Sequence, residues 1–207
     1  MTDRVLVGIV LVIAVGSCGG KAKSADSRVR AEVRRLEPRS AKVEIEVERA
    51  DIGEIPGVEL YGATVMLPGH PGYRCAVHGD QVWCRGEDRL SRVIAASGIG
   101  SNPDAMSDAV WIDLAAFLLD ATPLRGQGTA NLLDGYAPAE VKATIVPPEV
   151  TRTDQQLTIT FFVERVSYSS YPSGPMRLAH ITVLVSRTGA ARLQTDVVWD
   201  STESGGQ

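Results

Sequence analysis

Apolar residues recur along this chain in three rhythms, and each rhythm predicts a different element. Residues 5–16, VLVGIVLVIAVG, form an unbroken apolar run. Further on the spacing becomes helical. In SRVRAEVRRLE (27–37), Val29, Val33 and Leu36 fall at i, i+4 and i+7, so they share one face of a helix that Pro38 stops. Leu90, Val93 and Ile94 group in the same way between Asp88 and Ser97, and Gly98 is suited to end that helix. A third helix is expected from Asn102 to about Ala121. Asn102 is its cap, Pro103 its first helical residue, and Asp104 and Asp108 lie near its positive end. Met106, Val110, Leu114, Phe117 and Leu118 fill one broad sector of this helix, with Ile112 and Leu119 elsewhere. Only the arc of Ala105, Ala109, Asp113, Ala116 and Asp120 suits water, so the helix should be central and mostly buried.

The third rhythm is alternation. In KVEIEVER (42–49), Val43, Ile45 and Val47 face one way while Lys42, Glu44, Glu46 and Glu48 face the other, as in a strand with one wet face. VELYGATVML (58–67) reads as a second strand, with Gly62 a candidate bulge, and PGHPG (68–72) as a turn. Four further strands are expected: VKATIV (141–146), LTITFFVERVS (157–167), RLAHITVLVSR (177–187) and LQTDVVW (193–199). Turn signals at Pro147-Pro148, 171–175 and 188–190 separate them, which predicts an antiparallel meander. Between helix and meander, 124–138 is a glycine-bearing loop of fifteen residues. Loops of that length are often functional, so it is a candidate edge of a binding site. The fold class is therefore α+β: an antiparallel sheet with a C-terminal meander, packed on a central buried helix.

The apolar run near the start adds an address. Its twelve residues make about 18 Å of helix, short of a hydrocarbon core of roughly 30 Å. A cleaved secretory signal fits better than a spanning helix. Val15, Gly16, Ser17 and Cys18 follow as an aliphatic residue, two small residues and a cysteine. This stretch resembles the lipobox of bacterial lipoprotein signals. The resemblance covers about 20 residues and is silent on the fold of the body. It implies that Cys18 carries a diacylglycerol, that residues 1–17 are removed, and that the new amino terminus is acylated. One acyl chain holds a protein only marginally, at about 0.8 kcal/mol per buried methylene, whereas two or three anchor it stably. Gly19 stands where an aspartate often retains such proteins at the inner membrane, which leans the address toward the outer membrane. The implied organisation is a leader (1–17), a lipid-anchored tether (18–27), one domain (28–200) and a polar tail (201–207).

Composition changes this picture little, but charge refines it. Hydrophobic residues make up 44% and charged residues 22% of the 207, ordinary values for a folded domain. Residues 19–42 hold eight basic against three acidic residues, and 43–207 hold twelve against twenty-one. A basic neck thus precedes an acidic body. The neck reads either as an element facing anionic head groups or as the solvated face of a capping helix. The acidic body argues against a nucleic-acid partner.

An exported address permits disulfides. In CAVHGDQVWC (75–84), Gly79-Asp80 suits a two-residue type II′ turn. Folding there pairs His78 with Gln81, Val77 with Val82, Ala76 with Trp83, and Cys75 with Cys84. The last is a non-hydrogen-bonded pair, with Cα atoms about 4.5 Å apart, inside the disulfide range of about 4.4–6.8 Å. A Cys75–Cys84 bond is expected, with two packed free thiols as the alternative.

Little else carries chemistry. His70, His78 and His180 lack metal-ligand spacing, and no nucleophile elbow, phosphate loop or dinucleotide motif is present. No cofactor or metal is implied. SGIGSNP (97–103) could aim amides at an anion, but such turns commonly serve only to enter a helix. Asp108, Asp113 and Asp120 do not share a face as a catalytic pair should. Tyr168 and Tyr171, flanking YSSYPSGP, are candidate contacts for a ligand or partner. The reading that results is a non-enzymatic envelope lipoprotein acting as a binding or assembly module. Its partners are the membrane, through lipid, and an envelope protein. The alternatives are a small-ligand carrier, with a pocket between helix and sheet, and a small lipid-anchored enzyme.

Overall fold

The computed structural model describes residues 24–68, 70, 72–86, 88–126, 137–166 and 176–202. In chain order the elements are α1 (Ala25–Leu36), β1 (Ile45–Arg49), β2 (Glu59–Val65), β3 (Tyr73–His78), β4 (Gln81–Trp83), α2 (Arg89–Ser97), α3 (Asp108–Leu118), β5 (Pro123–Leu124), α4 (Ala139–Ala143), β6 (Glu149–Arg152), β7 (Gln156–Val166), β8 (Met176–Ser186) and β9 (Ala191–Asp200). The strands form two antiparallel sheets. One has the order β1-β2-β3-β4 and the other β5-β7-β8-β9, with β6 also paired to β7. β5 pairs with Phe162 and Val163 and β6 with Leu157 to Thr160, so the two share one edge of β7. The fold is α+β, and β6 to β9 form the C-terminal meander.

Alternation along β2 and β3 sorts the first sheet into two faces. Tyr61, Ala63, Val65, Tyr73, Cys75 and Val77 pack with Val29 and Val33 of α1. Leu60 and Ala76 point the other way, into a cluster with α2, α3 and the second sheet. The same period along β7 and β8 sends Leu157, Ile159, Phe161, Val163, Ala179, Ile181, Val183 and Val185 into that cluster. Layers therefore run from α1 to the first sheet, then α2 with α3, then the second sheet. A small group on the far side of that sheet joins Leu124, Ala137, Ile145, Phe162, Leu178 and Trp199.

α1 begins at Ala25, where the Ser24 side chain accepts a hydrogen bond from the Ser27 amide. Two arginines of the neck fasten it to the sheet. Arg28 donates to the Gly79 carbonyl, and the Arg30 Nε donates to the Ile45 carbonyl at 3.0 Å. Arg34 and Arg39 remain exposed.

The central helix is buried but starts later than its pattern suggests. Pro103–Ala105 is a short 3-10 turn, Met106 is extended, and Ser107 caps α3 by accepting from the Val110 amide. Trp111 explains the break. It is fully buried, and its indole Nε1 donates to the Pro103 carbonyl at 2.9 Å. In a continuous helix that carbonyl would receive the amide of residue 107 instead. The buried face centres on Trp111, Leu114, Ala115 and Leu118, and it takes in Ala116 from the arc expected to be wet.

Two further expectations are corrected. VKATIV is not a strand: Ala139–Ala143 is α4, and the first strand of the meander is Glu149–Arg152. Val141 and Ile145 lie four apart and both join the small cluster, so helical spacing buries what alternation also could have. Gly62 is no bulge. It pairs in register with Glu48 and with Arg74, and a Cβ there would lie 3.2 Å from an Arg74 nitrogen. Its missing side chain leaves room for Arg74. The register shift lies instead between Leu178 and Ala179, opposite Val198.

The β3–β4 hairpin has the expected register, from Ala76–Trp83 to His78–Gln81. Gly79 has φ of +53°, and Cys75 and Cys84 are joined, their Cα atoms 4.1 Å apart. In a Cys18→Ser background, thiol titration of denatured, unreduced protein should find no free cysteine, and reduction should release two. Two free thiols before reduction would refute the bond. The loop it closes is short, so reduction should cost stability toward the low end of about 2–4 kcal/mol.

Tyr61 gives a second test. Burial beneath α1 and its hydrogen bond to Glu59 push its phenol up to about 12, against an ordinary 10.0. A raised pKa in the folded state means stability that is intact below pH 10 and lost as pH climbs through about 12. Phenolate absorbance should show a late tyrosine phase in the folded protein that Tyr61→Phe removes. A titration unchanged by that substitution would contradict the assignment.

Candidate functional site

The second sheet is wider than the helices that cover it. On β8, Ala179, Ile181, Val183 and Val185 lie buried beneath α2 and α3. Their partners on β9 are Val197, Thr195, Leu193 and Ala191, which continue the same face. Ala191 packs against the core, but Leu193 is 47% and Val197 56% exposed. An apolar face thus runs past its cover.

The same residues own the open edge. The Ser186 amide donates to the Ala190 carbonyl at 2.9 Å, which sets the phase of the ladder. Arg192, Gln194 and Asp196 then face β8 with their amides and carbonyls, while Ala191, Leu193, Thr195 and Val197 turn theirs outward. Ser91 shows that direction directly. Its hydroxyl accepts from the Ala191 amide at 3.0 Å and donates to the Ala191 carbonyl at 3.1 Å. Ser91 closes the edge at one end, and the irregularity opposite Leu178 and Ala179 ends it at the other. Between them lies a window of three outward-turned residues.

A groove of about 750 Å³ runs beside this window. Leu193 and Thr195 form one wall, Leu90 and Ser91 of α2 and Leu118 and Leu119 of α3 the other, and Arg85, Asp88 and Arg89 stand at its mouth. Arg89 is well fixed. Its Nη1 donates to the carbonyls of Arg74 (2.7 Å) and Cys84 (3.0 Å), and its Nε to that of Gly86 (3.2 Å). Burial pulls its pKa below the ordinary value, and the nearby Asp120 carboxylate opposes that shift. Arg85 lies over the Tyr73 ring, 5.3 Å from its centroid, and donates to the Tyr73 hydroxyl at 3.1 Å. Asp88 is engaged by Arg92 at 2.7 Å and Asp120 by Arg74 at 3.1 Å. A smaller cleft of about 130 Å³ extends from Arg85 and Arg89 toward Gly72, Arg74 and Asp120. The carboxylates here already have partners, so the mouth presents guanidinium groups to an incoming ligand. Such a site suits charge-assisted hydrogen bonds to an acid on one side and strand pairing on the other.

The disulfide belongs indirectly to this site. Cys75 and Cys84 lie under α1, on the opposite face of the first sheet, but the Cys84 carbonyl holds Arg89. Cys18, Tyr168 and Tyr171 lie outside the described residues, as do residues 127–136 of the long loop. The first residues of that loop border a separate pocket of about 260 Å³, lined by Arg125, Asp113 and Pro147 among others.

The other candidates are held apart. Asp108 pairs with Arg152 at 2.5 Å, remote in the chain from the Asp120–Arg74 pair. His70 sits 3.7 Å from Glu37, and His180 lies against Phe162, ring centroids 4.7 Å apart. Among the described residues no three His, Cys, Asp or Glu side chains gather as metal ligands. In SGIGSNP, Gly100 packs on the β8–β9 turn, where an added Cβ would lie 2.8 Å from the Gly189 Cα. Its glycine serves a backbone contact.

Sequence reasoning passed over β9 and the arginines. LQTDVVW reads as a strand whether central or at an edge, Arg89 falls inside the expected helix from Asp88 to Ser97, and no motif marks Arg85. One signal was present: the strand carries no lysine or proline, the residues that usually blunt an edge. No family model matches the chain, and neither a curated protein nor a solved structure matches it.

Proposed function

We propose that this chain is a bacterial envelope lipoprotein whose folded body binds a protein partner near a membrane. Cys18 carries the lipid, residues 1–17 are removed, and Gly19 directs the product toward the outer membrane. The observation that carries the binding role is the uncovered β9 window beside an arginine-rimmed groove.

Two features support a binding or assembly role over a small-ligand carrier. The space between α3 and the second sheet is filled by Trp111, Leu114 and Phe161, all essentially inaccessible to solvent. The exposed large apolar side chains among the described residues are Met66, Val146, Leu193, Val197 and Val198, and three of these five lie on β9. A non-enzymatic role agrees with the groove's polar groups, which are arginines, the Ser91 hydroxyl spent on the backbone, the Thr195 hydroxyl, and an aspartate paired with Arg92. The exposed cations Arg34 and Arg39 can add attraction to anionic head groups, about 1 kcal/mol for each that nears the surface.

Anchoring is tested by Cys18→Ser. The variant should leave the membrane fraction or accumulate as unprocessed precursor. Normal cleavage with continued membrane fractionation would refute the anchor. Binding is tested separately by photo-crosslinkers placed one at a time over the surface of the anchored protein in intact envelopes. A discrete adduct from at least one face is expected, and none from any face would refute the binding role.

A further inference from the structure

We infer that the β9 window takes an extended, acidic segment of another protein, which pairs with it as an added strand. The inference rests on the binding role proposed above and names the chemistry of the partner.

The window is short. Leu193, Thr195 and Val197 turn three amides and three carbonyls outward, and among the described residues no hydrogen bond occupies them. The five residues from Leu193 to Val197 span about 17 Å, the length of a typical strand. Most proteins protect such an edge with lysine, proline or an inward-pointing charge. Here the side chains on the core-side face of the strand are Leu193, Thr195 and Val197, of which Leu193 and Thr195 line the groove; Arg192 and Asp196 alternate onto the other face, and Arg192 also borders the groove.

A strand added at the usual spacing of about 4.8 Å would lie along the groove. Alternate side chains would point toward α2 and α3. There they meet an apolar wall at Leu118 and Leu119 and guanidinium groups at Arg85 and Arg89. The body as a whole is acidic, with twenty-one acidic against twelve basic residues over 43–207. Arginines at the mouth of this groove reverse that sign locally, so the complementary partner is acidic. A second copy of this chain would offer β9 itself, which carries one arginine and two aspartates and brings its own arginine-rimmed mouth to the junction. It would also set its α2 against the first copy's strand end, because Ser91 ties that helix to Ala191 at the edge.

The test uses the folded protein in a Cys18→Ser form without residues 1–17, and as probe a fluorescein-labelled peptide of sequence ETVTVTE, whose pleat puts both valines and both glutamates on one face. Fluorescence anisotropy should report binding that weakens about tenfold or more when glutamates become lysines, and by a similar factor from low salt to 1 M, where the Debye length falls to about 3 Å. N-methylation of alternate peptide amides should abolish binding without altering the protein. Thr195→Pro removes an outward amide, a change that edge strands tolerate, and should weaken binding about tenfold while the disulfide and circular dichroism stay unchanged. Arg85→Glu should reverse the charge preference. Equal affinity for glutamate and lysine peptides, insensitivity to N-methylation, or absence of binding would each overturn the inference. A dimer seen by sedimentation and abolished by Thr195→Pro would overturn it in favour of a second copy. If the peptide fails while crosslinks form from another face, the binding role survives and only this assignment of partner falls.

Discussion

The apolar layer formed by α2 and α3 is the constraint on which the rest of the structure depends. Both sheets need a cover for one face, and these two helices serve both at once. Leu60 and Ala76 reach them from the first sheet, and Ile159, Phe161, Ile181 and Val183 from the second. Trp111 and Leu114, fully buried between, complete a packed interior. Each such side chain contributes about 1.5–3 kcal/mol relative to exposure, so the layer dominates the favourable side of the balance. Among the described residues Trp111, Leu114 and Phe161 fill the space between α3 and the centre of the second sheet, and the groove beside β9 lies outside that packed layer.

The same economy exposes β9. Nine residues of α2 and eleven of α3 cover a limited width. They suffice for the first sheet's inner face and for β7 and β8, but they meet β9 only near Ala191. Beyond that point the pleat still directs Leu193 and Val197 toward the helices, where no helix lies. The groove is the space between a sheet that is too wide and a helical layer that is too narrow. Its arginines come from the turn after β4 (Arg85) and from the first residue of α2 (Arg89), just beyond the disulfide-linked hairpin. A link thus runs from Cys84, through its carbonyl, to Arg89 and the mouth of the groove.

The first sheet gains a second cover from α1, and the basic neck turns out to have a structural share. Arg28 and Arg30 spend their hydrogen bonds on carbonyls of the sheet, while Arg34 and Arg39 stay in water. Charge counting alone assigns all of these residues to one role. Contacts divide them: Arg28 and Arg30 lie half-buried against the sheet, whereas Arg34 and Arg39 stand exposed to whatever approaches.

Local pattern alone determined much of this fold. Four of the period-2 runs supply β1, β2, β7 and β8, because alternation on a pleated backbone has one economical outcome. The Cys75–Cys84 register follows from one glycine-led turn, and α1 and α2 follow from stripes only a few residues wide. VKATIV failed because a six-residue segment with Val141 and Ile145 four apart satisfies helix and strand alike, and only its neighbours decide. The start of α3 failed because Trp111 needs a carbonyl that no local rule supplies. The candidate site was least legible of all. Whether a strand is an edge depends on which other strands pair with it, and whether Leu193 is covered depends on where a distant helix ends. Arg85, Arg89, Leu118 and Thr195 are far apart in the chain and become neighbours only when two sheets close on one helical layer.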